Sequence, residues 1–171
     1  QVQGGGGQTV FVSGEAGSGK TTLVQAFTHL ILTRGDGVVS AGGACNAQIG
    51  AGDPYLPFSE ILRLLSGDFD VPTVDGALPP AHIQRLETFA PSFTRGLIDE
   101  GPDLIGRLVP ASSGLIDSPT SGSTGAGRAS LSPAAVCDQA TRVLRTAAKQ
   151  RVLVLVLDDL QWADSGTLNL L

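Results

Sequence analysis

Residues 14 to 21 read Gly-Glu-Ala-Gly-Ser-Gly-Lys-Thr, and their order matches the phosphate-binding pattern G-x-x-x-x-G-K-[ST]. Glycines let the backbone curl so that several N–H groups point inward and bind an anion. The Lys20 ammonium can reach the β- and γ-phosphates of a nucleoside triphosphate, and the Thr21 hydroxyl can bind Mg²⁺. The positive end of the following helix adds to this attraction. The stretch therefore predicts a nucleotide-binding α/β domain.

The sequence on either side supplies the strand and the helix that such a loop requires. Residues 9–13, Thr-Val-Phe-Val-Ser, predict a short strand before the loop. A helix follows from Gly19 and ends at Gly35 and Gly37. Its apolar stripe comprises Leu23, Val24, Phe27, Leu30 and Ile31. The predicted nucleotide-binding residues are Gly14, Glu15, Ala16, Gly17, Ser18, Gly19, Lys20, Thr21 and Thr22.

A second motif supplies the acidic groups that a nucleotide site needs. Residues 152–159 read Val-Leu-Val-Leu-Val-Leu-Asp-Asp, and the apolar run predicts a strand buried on both faces, as in a parallel sheet. Ligands of open α/β sheets bind at the carboxyl ends of strands, where Asp158 and Asp159 lie. We assign Asp158, with Thr21, to the Mg²⁺ site. Asp159, which can orient or deprotonate a water molecule, and Lys20 are the predicted catalytic residues.

Between these motifs the chain alternates predicted elements and loops. Residues 38–41 predict a second strand, and Pro57 stands where a helix can begin. Residues 82–89 and 91–98 predict two short helices separated by Pro91, because proline interrupts helical hydrogen bonding. The chain from residue 9 onward therefore predicts an alternating α/β arrangement.

Composition limits the classes of protein to which the chain can belong. Its 171 residues, 42% of them hydrophobic, suffice for one domain with a core. No apolar run reaches membrane-spanning length, and no signal peptide opens the sequence. The net charge of −5 argues against nucleic-acid contact by this segment. Cys45 and Cys137 lack metal-ligand spacing, which predicts reduced thiols in a cytoplasmic protein. His29 and His82 have no ligand partner nearby in sequence, which favours structural roles.

Residues 157–165, Leu-Asp-Asp-Leu-Gln-Trp-Ala-Asp-Ser, closely resemble the LDDLQWAD signature of STAND-type signalling ATPases. These are a branch of the AAA-like P-loop NTPases found in LuxR-type and MalT-like transcriptional regulators and in adenylate-cyclase-linked proteins. Residues 54–57, Pro-Tyr-Leu-Pro, resemble the segment after the second strand there. The resemblance implies ATP and Mg²⁺ as ligands and a hydrolytic role for Asp159. It also implies sensor and effector domains elsewhere and oligomerisation on ATP binding. We expect Tyr55 to anchor a loop and Trp162 to shape the exit from the acidic strand.

The resemblance also predicts the domain organisation. In the family the signature is followed in sequence by another strand and then by a lid. That strand lies in the sheet between the phosphate-loop strand and the acidic strand. We therefore expect an incomplete three-layer P-loop NTPase fold with a parallel sheet, truncated where the last helix begins. From composition we expect residues 1–8 to form a flexible glycine-rich lead-in and residues 9–171 to form the partial ATPase domain, with a disordered insertion at 110–131. Ser132 and Asp164 are predicted caps of the helices that follow.

The favoured function is a signalling switch, in which ATP binding and slow hydrolysis set the conformation of a larger regulator. We expect hydrolysis in the full-length protein and weak or no hydrolysis by this chain alone. A DNA-loading ATPase related to origin-recognition proteins is one alternative, and a small-molecule P-loop kinase is another. The kinase would require arginines in a lid, yet residues 110–131 contain only Arg128. An inert, degenerate domain is the remaining possibility. The choice of ATP rather than GTP as the nucleotide rests on the resemblance, since the sequence contains no guanine-recognition motif such as N-K-x-D.

Overall fold

The computed structural model describes residues 7–35, 37–46, 54–70, 78–110 and 132–171. Most of the predicted lead-in and of the predicted insertion at 110–131 lies outside the described residues. The elements in chain order are α1 (Lys20–Arg34), β1 (Val38–Ala44), α2 (Leu56–Leu65), α3 (Pro80–Glu100), α4 (Pro133–Ala148), β2 (Val152–Asp158) and α5 (Ser165–Leu170). Short 3-10 helices cover Pro102–Leu104 and Leu160–Trp162. The order confirms the predicted α/β class.

The two strands form a parallel pair that places both carboxyl ends at one edge of the sheet. Val38 lies opposite Val152, and the register continues to Ala44 opposite Asp158. The Cys45 N–H then donates to the Asp158 carbonyl at 3.1 Å. The second strand predicted at 38–41 is confirmed and continues to Ala44. A parallel pair requires a long crossover, which here contains α2, α3 and α4.

Side chains of α2 and α3 cover the outer edge of β1. The Ser40 N–H donates to Nε2 of His82 at 3.1 Å, and the Ala44 N–H donates to the Glu60 carboxylate at 2.9 Å. These bonds satisfy backbone groups that an edge strand otherwise presents to solvent or to another chain. Burial lowers the pKa of His82 to about 4, and the Arg85 guanidinium adds to this effect. The structural role predicted for His82 is confirmed.

The core lies between β1 and helices α2, α3 and α4. α2 buries Phe58, Ile61, Leu62 and Leu65 on its apolar face. The helix approaches β1 so closely that a Cβ on Gly43 would lie 2.1 Å from the Pro57 carbonyl oxygen. Only glycine permits that approach. The largest fully buried side chains are Phe93, Ile61, Leu62, Leu64, Leu65, Leu86, Leu97, Leu104, Leu108, His82, Val39 and Val109.

The prediction of two short helices separated by Pro91 is wrong. Residues 80–100 form one helix with Pro91 inside it. Phe89 and Phe93, on either side of the proline, are both buried in the core, with ring centroids 5.9 Å apart. Tertiary burial of these rings outweighs the hydrogen bond that proline cannot make, a cost of about 3 kcal/mol in an isolated helix.

The predicted caps of the last two helices are confirmed. The Ser132 side chain accepts a hydrogen bond from the Ala135 N–H, and the Asp164 side chain accepts one from the Thr167 N–H. Each bond satisfies a backbone donor that the helix itself leaves unpaired. α4 then buries one face against α3, with Val136, Ala140, Val143 and Ala147 in the core.

The region before and along α1 departs from the predictions. Residues 9–13 form no strand, and Phe11 is 71% exposed. The helix is confirmed, but much of its apolar stripe faces outward: Phe27 is 52% exposed, whereas Thr28 and Leu32 are buried. β2 is half-buried along its whole length, not buried on both faces. The physical reason is that no third strand occurs in the described residues to pair with 9–13 or with the free edge of β2.

No helix in the described part of the chain is both long enough and apolar enough to span a membrane.

Candidate nucleotide-binding site

The loop before α1 owes its shape to glycines at positions that side chains rarely tolerate. Gly17 and Gly19 have φ of 78° and 84°, in the left-handed region. A Cβ on Gly14 would lie 2.8 Å from the Ser18 hydroxyl oxygen. The Ser18 N–H donates to the Glu15 carbonyl at 3.2 Å, which closes a turn. The backbone conformation of the loop therefore explains why the motif has glycine at these positions.

The loop leads directly into the N-terminus of α1. Gly19 is the cap residue and supplies no side-chain hydrogen bond, so the first N–H groups of the helix remain available to an anion. Gly17, Gly19, Lys20, Thr21 and Thr22 line an open hollow of about 260 Å³. Backbone donors and the positive end of the helix dipole thus converge on a concave surface.

Lys20 places the positive charge of the site over the loop. Its Nζ donates to the carbonyls of Gly14 and Glu15 at 3.0 and 2.8 Å. Both acceptors are uncharged, and the described residues offer Lys20 no ion pair within salt-bridge distance. The ammonium charge is therefore available to an anionic ligand in the hollow.

The first turn of α1 meets the end of β2. The Thr21 hydroxyl donates to Oδ2 of Asp158 at 3.4 Å, across 137 positions of sequence. The other oxygen, Oδ1, accepts the Asp159 N–H at 2.9 Å. The fold thus unites two residues that the sequence assigned to one metal site.

Asp159 turns away from Asp158 and occupies an exposed, irregular segment. Its φ of 55° lies in the left-handed region, which is uncommon for a residue with a side chain. Its Oδ1 accepts a hydrogen bond from Nε2 of Gln161 at 2.9 Å. The carboxylate is oriented by this bond and is exposed to solvent.

The donor set fits Mg²⁺ bound together with phosphate. The described residues hold no group of three or more His, Cys, Asp or Glu side chains that could bind a metal ion. Mg²⁺ prefers oxygen ligands, retains several waters and commonly uses one or two protein groups plus substrate phosphates. The hydroxyl of Thr21 and the carboxylate of Asp158 are ligands of that kind, next to a phosphate-binding hollow.

Sequence reasoning missed the contact between Tyr55 and Asp164. Tyr55 is 3% exposed, so it is a packed anchor as expected, and its N–H donates to Oδ2 of Asp164 at 3.2 Å. Burial raises the pKa of Asp164. The hydrogen bonds that its carboxylate accepts from Thr167, Tyr55 and Gly166 lower the pKa by a larger amount, so the net shift is downward. Trp162, in contrast, is 54% exposed on the 3-10 turn after β2. The two resembling segments, 54–57 and 157–165, thus meet in space.

Both cysteines are free thiols, as predicted. Cys45 is buried at the end of β1, and Cys137 is half-buried on α4. Burial raises the pKa of Cys45, and the nearby carboxylates of Asp164 and Asp159 raise it further. Both effects favour the protonated thiol, which is the less reactive form of cysteine.

The family model described as AAA ATPase domain matches residues 1–171, the whole chain. No curated protein and no solved structure matches the sequence. The family implies a P-loop NTPase fold, with which the parallel strands and the loop before α1 agree, and an AAA ATPase domain generally binds ATP with Mg²⁺. The chain therefore belongs to the AAA ATPase domain family.

Proposed function

We propose that this chain binds Mg-ATP at the loop of residues 14–22 and is the nucleotide switch of a larger signalling or transcriptional regulator. Slow hydrolysis resets the switch. Membership of the AAA ATPase domain family supports ATP binding and hydrolysis. The observation that carries the site assignment is the 3.4 Å contact between the Thr21 hydroxyl and the Asp158 carboxylate.

Each residue of the proposed site has one physical role. The N–H groups of residues 14–19 and of the first turn of α1 bind phosphate oxygens. Lys20 exchanges the carbonyls of Gly14 and Glu15 for phosphate oxygens, which bind its charge more strongly. Thr21 and Asp158 hold Mg²⁺ at the edge of this cradle. The ion supplies neutralisation of the negative charge on the phosphates.

Hydrolysis requires a water molecule in line with the terminal phosphate, and Asp159 is the proposed residue that orients it. The carboxylate accepts a hydrogen bond from the water and can take its proton as the oxygen–phosphorus bond forms and the bond from the γ-phosphorus to the bridging oxygen breaks, with ADP as the leaving group. Gln161 restricts the orientation of this carboxylate. The adjacent Asp158 is turned toward Thr21, so the two neighbouring carboxylates serve different tasks.

The finer assignment to the STAND-type branch rests on the resemblance of residues 157–165. In this proposal a further strand completes the sheet between residues 9–13 and β2, and a lid follows it. The exposed apolar residues Val10, Phe11 and Phe27 and the half-buried state of β2 support this part of the proposal. In the completed site the γ-phosphate holds the surrounding loops in an ordered conformation. Sensor and effector domains then bind differently to the ATP-bound and the hydrolysed state. Oligomerisation on ATP binding belongs to the same proposal.

Three arginines of the described residues are engaged within the fold and so give no support to a small-molecule kinase. Arg85 donates to the carbonyls of Leu32, Gly35 and Val38 around the end of α1. Arg63 pairs with Asp68, and Arg142 pairs with Glu100 and Asp138. These side chains hold the fold together, whereas a kinase lid needs arginines directed at the transferred phosphate. No observation favours the DNA-loading ATPase over the switch.

The proposal is tested by measuring ATP affinity in the presence of Mg²⁺ after the Lys20→Ala substitution. We expect affinity to fall by about 10- to 100-fold, because one charged hydrogen-bond donor to phosphate is lost. Lys149 is the only other lysine and lies on the surface at the end of α4, so Lys149→Ala removes the same charge elsewhere. Equal affinity for wild type and Lys20→Ala would refute the site.

A further inference from the structure

Asp164 makes one hydrogen bond that helix capping does not require. Its carboxylate accepts the Thr167 N–H at 3.0 Å and the Thr167 hydroxyl at 2.6 Å, which is ordinary capping of α5. Oδ2, the oxygen that accepts the Thr167 hydroxyl, also accepts the Tyr55 N–H at 3.2 Å, from a segment 109 positions earlier in the chain. The cap of α5 is therefore also a link between two distant segments.

The Tyr55 side of this contact is tightly constrained. Tyr55 has φ of 71°, a conformation that is costly for an aromatic residue and persists only when its surroundings fix it. Its ring is buried against Gly166, where a Cβ would lie 2.7 Å from ring atoms Cε1 and Cζ. A backbone hydrogen bond and a close ring contact thus hold Tyr55 to the start of α5.

The contact joins the two strand ends of the site. Tyr55 immediately precedes α2, which is fixed to β1 by the close approach of Pro57 to Gly43 and by the bond from the Ala44 N–H to Glu60. Asp164 ends the exposed turn of residues 159–163 that begins immediately after β2. The start of that turn is fixed by the bond from the Cys45 N–H to the Asp158 carbonyl. Its far end is fixed through Asp164.

We infer that Asp164 is a positioning residue for ATP hydrolysis, which holds the turn 159–163 in place through Tyr55. The inference rests on the proposed function. Asp159 occupies this turn in a strained conformation, so its carboxylate keeps one orientation only while both ends of the turn are anchored. The hydrogen bonds that Asp164 accepts come from Tyr55, Thr167 and Gly166, which all lie outside the loop of residues 14–22. Its loss therefore affects the hydrolytic step and leaves ATP binding intact.

The test introduces Asp164→Asn and Gly166→Ala, one at a time, into the whole natural protein. Asparagine caps helices as well as aspartate does, so α5 is retained. When its amide oxygen takes the place of Oδ1 and keeps the cap, its amide nitrogen takes the place of Oδ2 and cannot accept the Tyr55 N–H. Gly166→Ala displaces the Tyr55 ring from the other side. Ser132→Ala is the matched control, because Ser132 caps α4 with a bond to the Ala135 N–H and lies outside the proposed site.

Two readouts separate positioning from loss of stability. We expect kcat of Asp164→Asn and Gly166→Ala to fall by about tenfold or more with an unchanged Kd for ATP, because small misplacements of reacting groups cost this much. Trp162, the only tryptophan of the chain, lies in the turn, and its quenching by acrylamide should increase in both variants. Ser132→Ala should lower the melting temperature and change neither readout.

The outcomes distinguish this inference from the proposed function. If the wild-type protein failed to bind or hydrolyse ATP, the proposed function would be wrong, and Trp162 quenching would still report whether Asp164 holds the turn. If wild type hydrolysed ATP and Asp164→Asn matched it in kcat, the inference alone would be wrong. A profile of Asp164→Asn identical to that of Ser132→Ala would also overturn it.

Discussion

Acid should destabilise this domain through His82, whose neutral form the fold requires. Nε2 of His82 accepts the Ser40 N–H at 3.1 Å, so the ring proton is on Nδ1, a buried atom without a partner in the described residues. Protonation of Nε2 would set two N–H groups against each other. The pKa is lowered from 6.5 to about 4, mainly by burial and secondarily by Arg85.

The sign and size of the effect follow from linkage. Below pH 6.5 the unfolded chain takes up a proton that the folded chain refuses until about pH 4, so stability is lost as the pH falls through this window. With these two pKa values, the loss relative to pH 7 is about 2 kcal/mol at pH 5 and about 3 kcal/mol at pH 4.

Urea unfolding of wild type, His82→Gln and His29→Gln at pH 7, 5 and 4 measures this contribution. Glutamine can still accept the Ser40 N–H but does not titrate, so His82→Gln should lack the acid-dependent loss. His29 is the other histidine and is exposed on α1; its replacement should leave the wild-type profile unchanged. Glu60 and Asp164, whose pKa values the fold also shifts, are present in all three proteins, so their contributions should cancel in the comparison. The reasoning fails if His82→Gln loses as much stability in acid as wild type.

Three further substitutions test the catalytic assignment and the docking of α2, the third as the control for the second. Asp159→Asn should retain ATP binding and lower kcat by about 100-fold, as expected when a general base is removed; turnover equal to wild type would remove Asp159 from the mechanism. Gly43→Ala should cost about 3 kcal/mol in urea unfolding, because its Cβ would lie 2.1 Å from the Pro57 carbonyl oxygen of the backbone. Gly96 lies inside α3, and a Cβ there would lie 3.8 Å from Cγ2 of Thr146, an ordinary contact distance. Gly96→Ala should therefore raise the free energy of unfolding by about 0.5–1 kcal/mol. Similar effects of both glycine substitutions would contradict the described packing.

Local sequence predicted the parts of the site that depend on neighbouring residues. The motif at 14–21 defines its own turn through Gly17 and Gly19, whose positive φ follows from the lack of a side chain. The caps Ser132 and Asp164 likewise act within three residues. Thr21 and Asp158 were assigned to one metal site because ligands of open α/β sheets bind at the carboxyl ends of strands, where Asp158 lies, and the two side chains are in contact.

Features that depend on distant residues were not predictable from local patterns. Pro91 predicts a helix break, yet burial of Phe89 and Phe93 on either side keeps α3 continuous. The bond from Tyr55 to Asp164 spans 109 positions and leaves no periodic signal in the sequence. The stripe of α1 was read correctly as helical, but helical spacing does not specify what covers the stripe.

The central claim is that Thr21 and Asp158 together hold Mg²⁺ on ATP bound at the loop. Its most direct test is the Kd of ATP, with Mg²⁺ and with EDTA, for wild type, Thr21→Ala, Asp158→Asn and the double variant, with Asp138→Asn on α4 as the charge control. We predict that Mg²⁺ tightens ATP binding by wild type and by Asp138→Asn. Each site variant should lose most of this gain, and the double variant should lose little more than either single variant, because the two residues serve one ion. Full retention of the Mg²⁺ gain in Thr21→Ala and Asp158→Asn would contradict the claim.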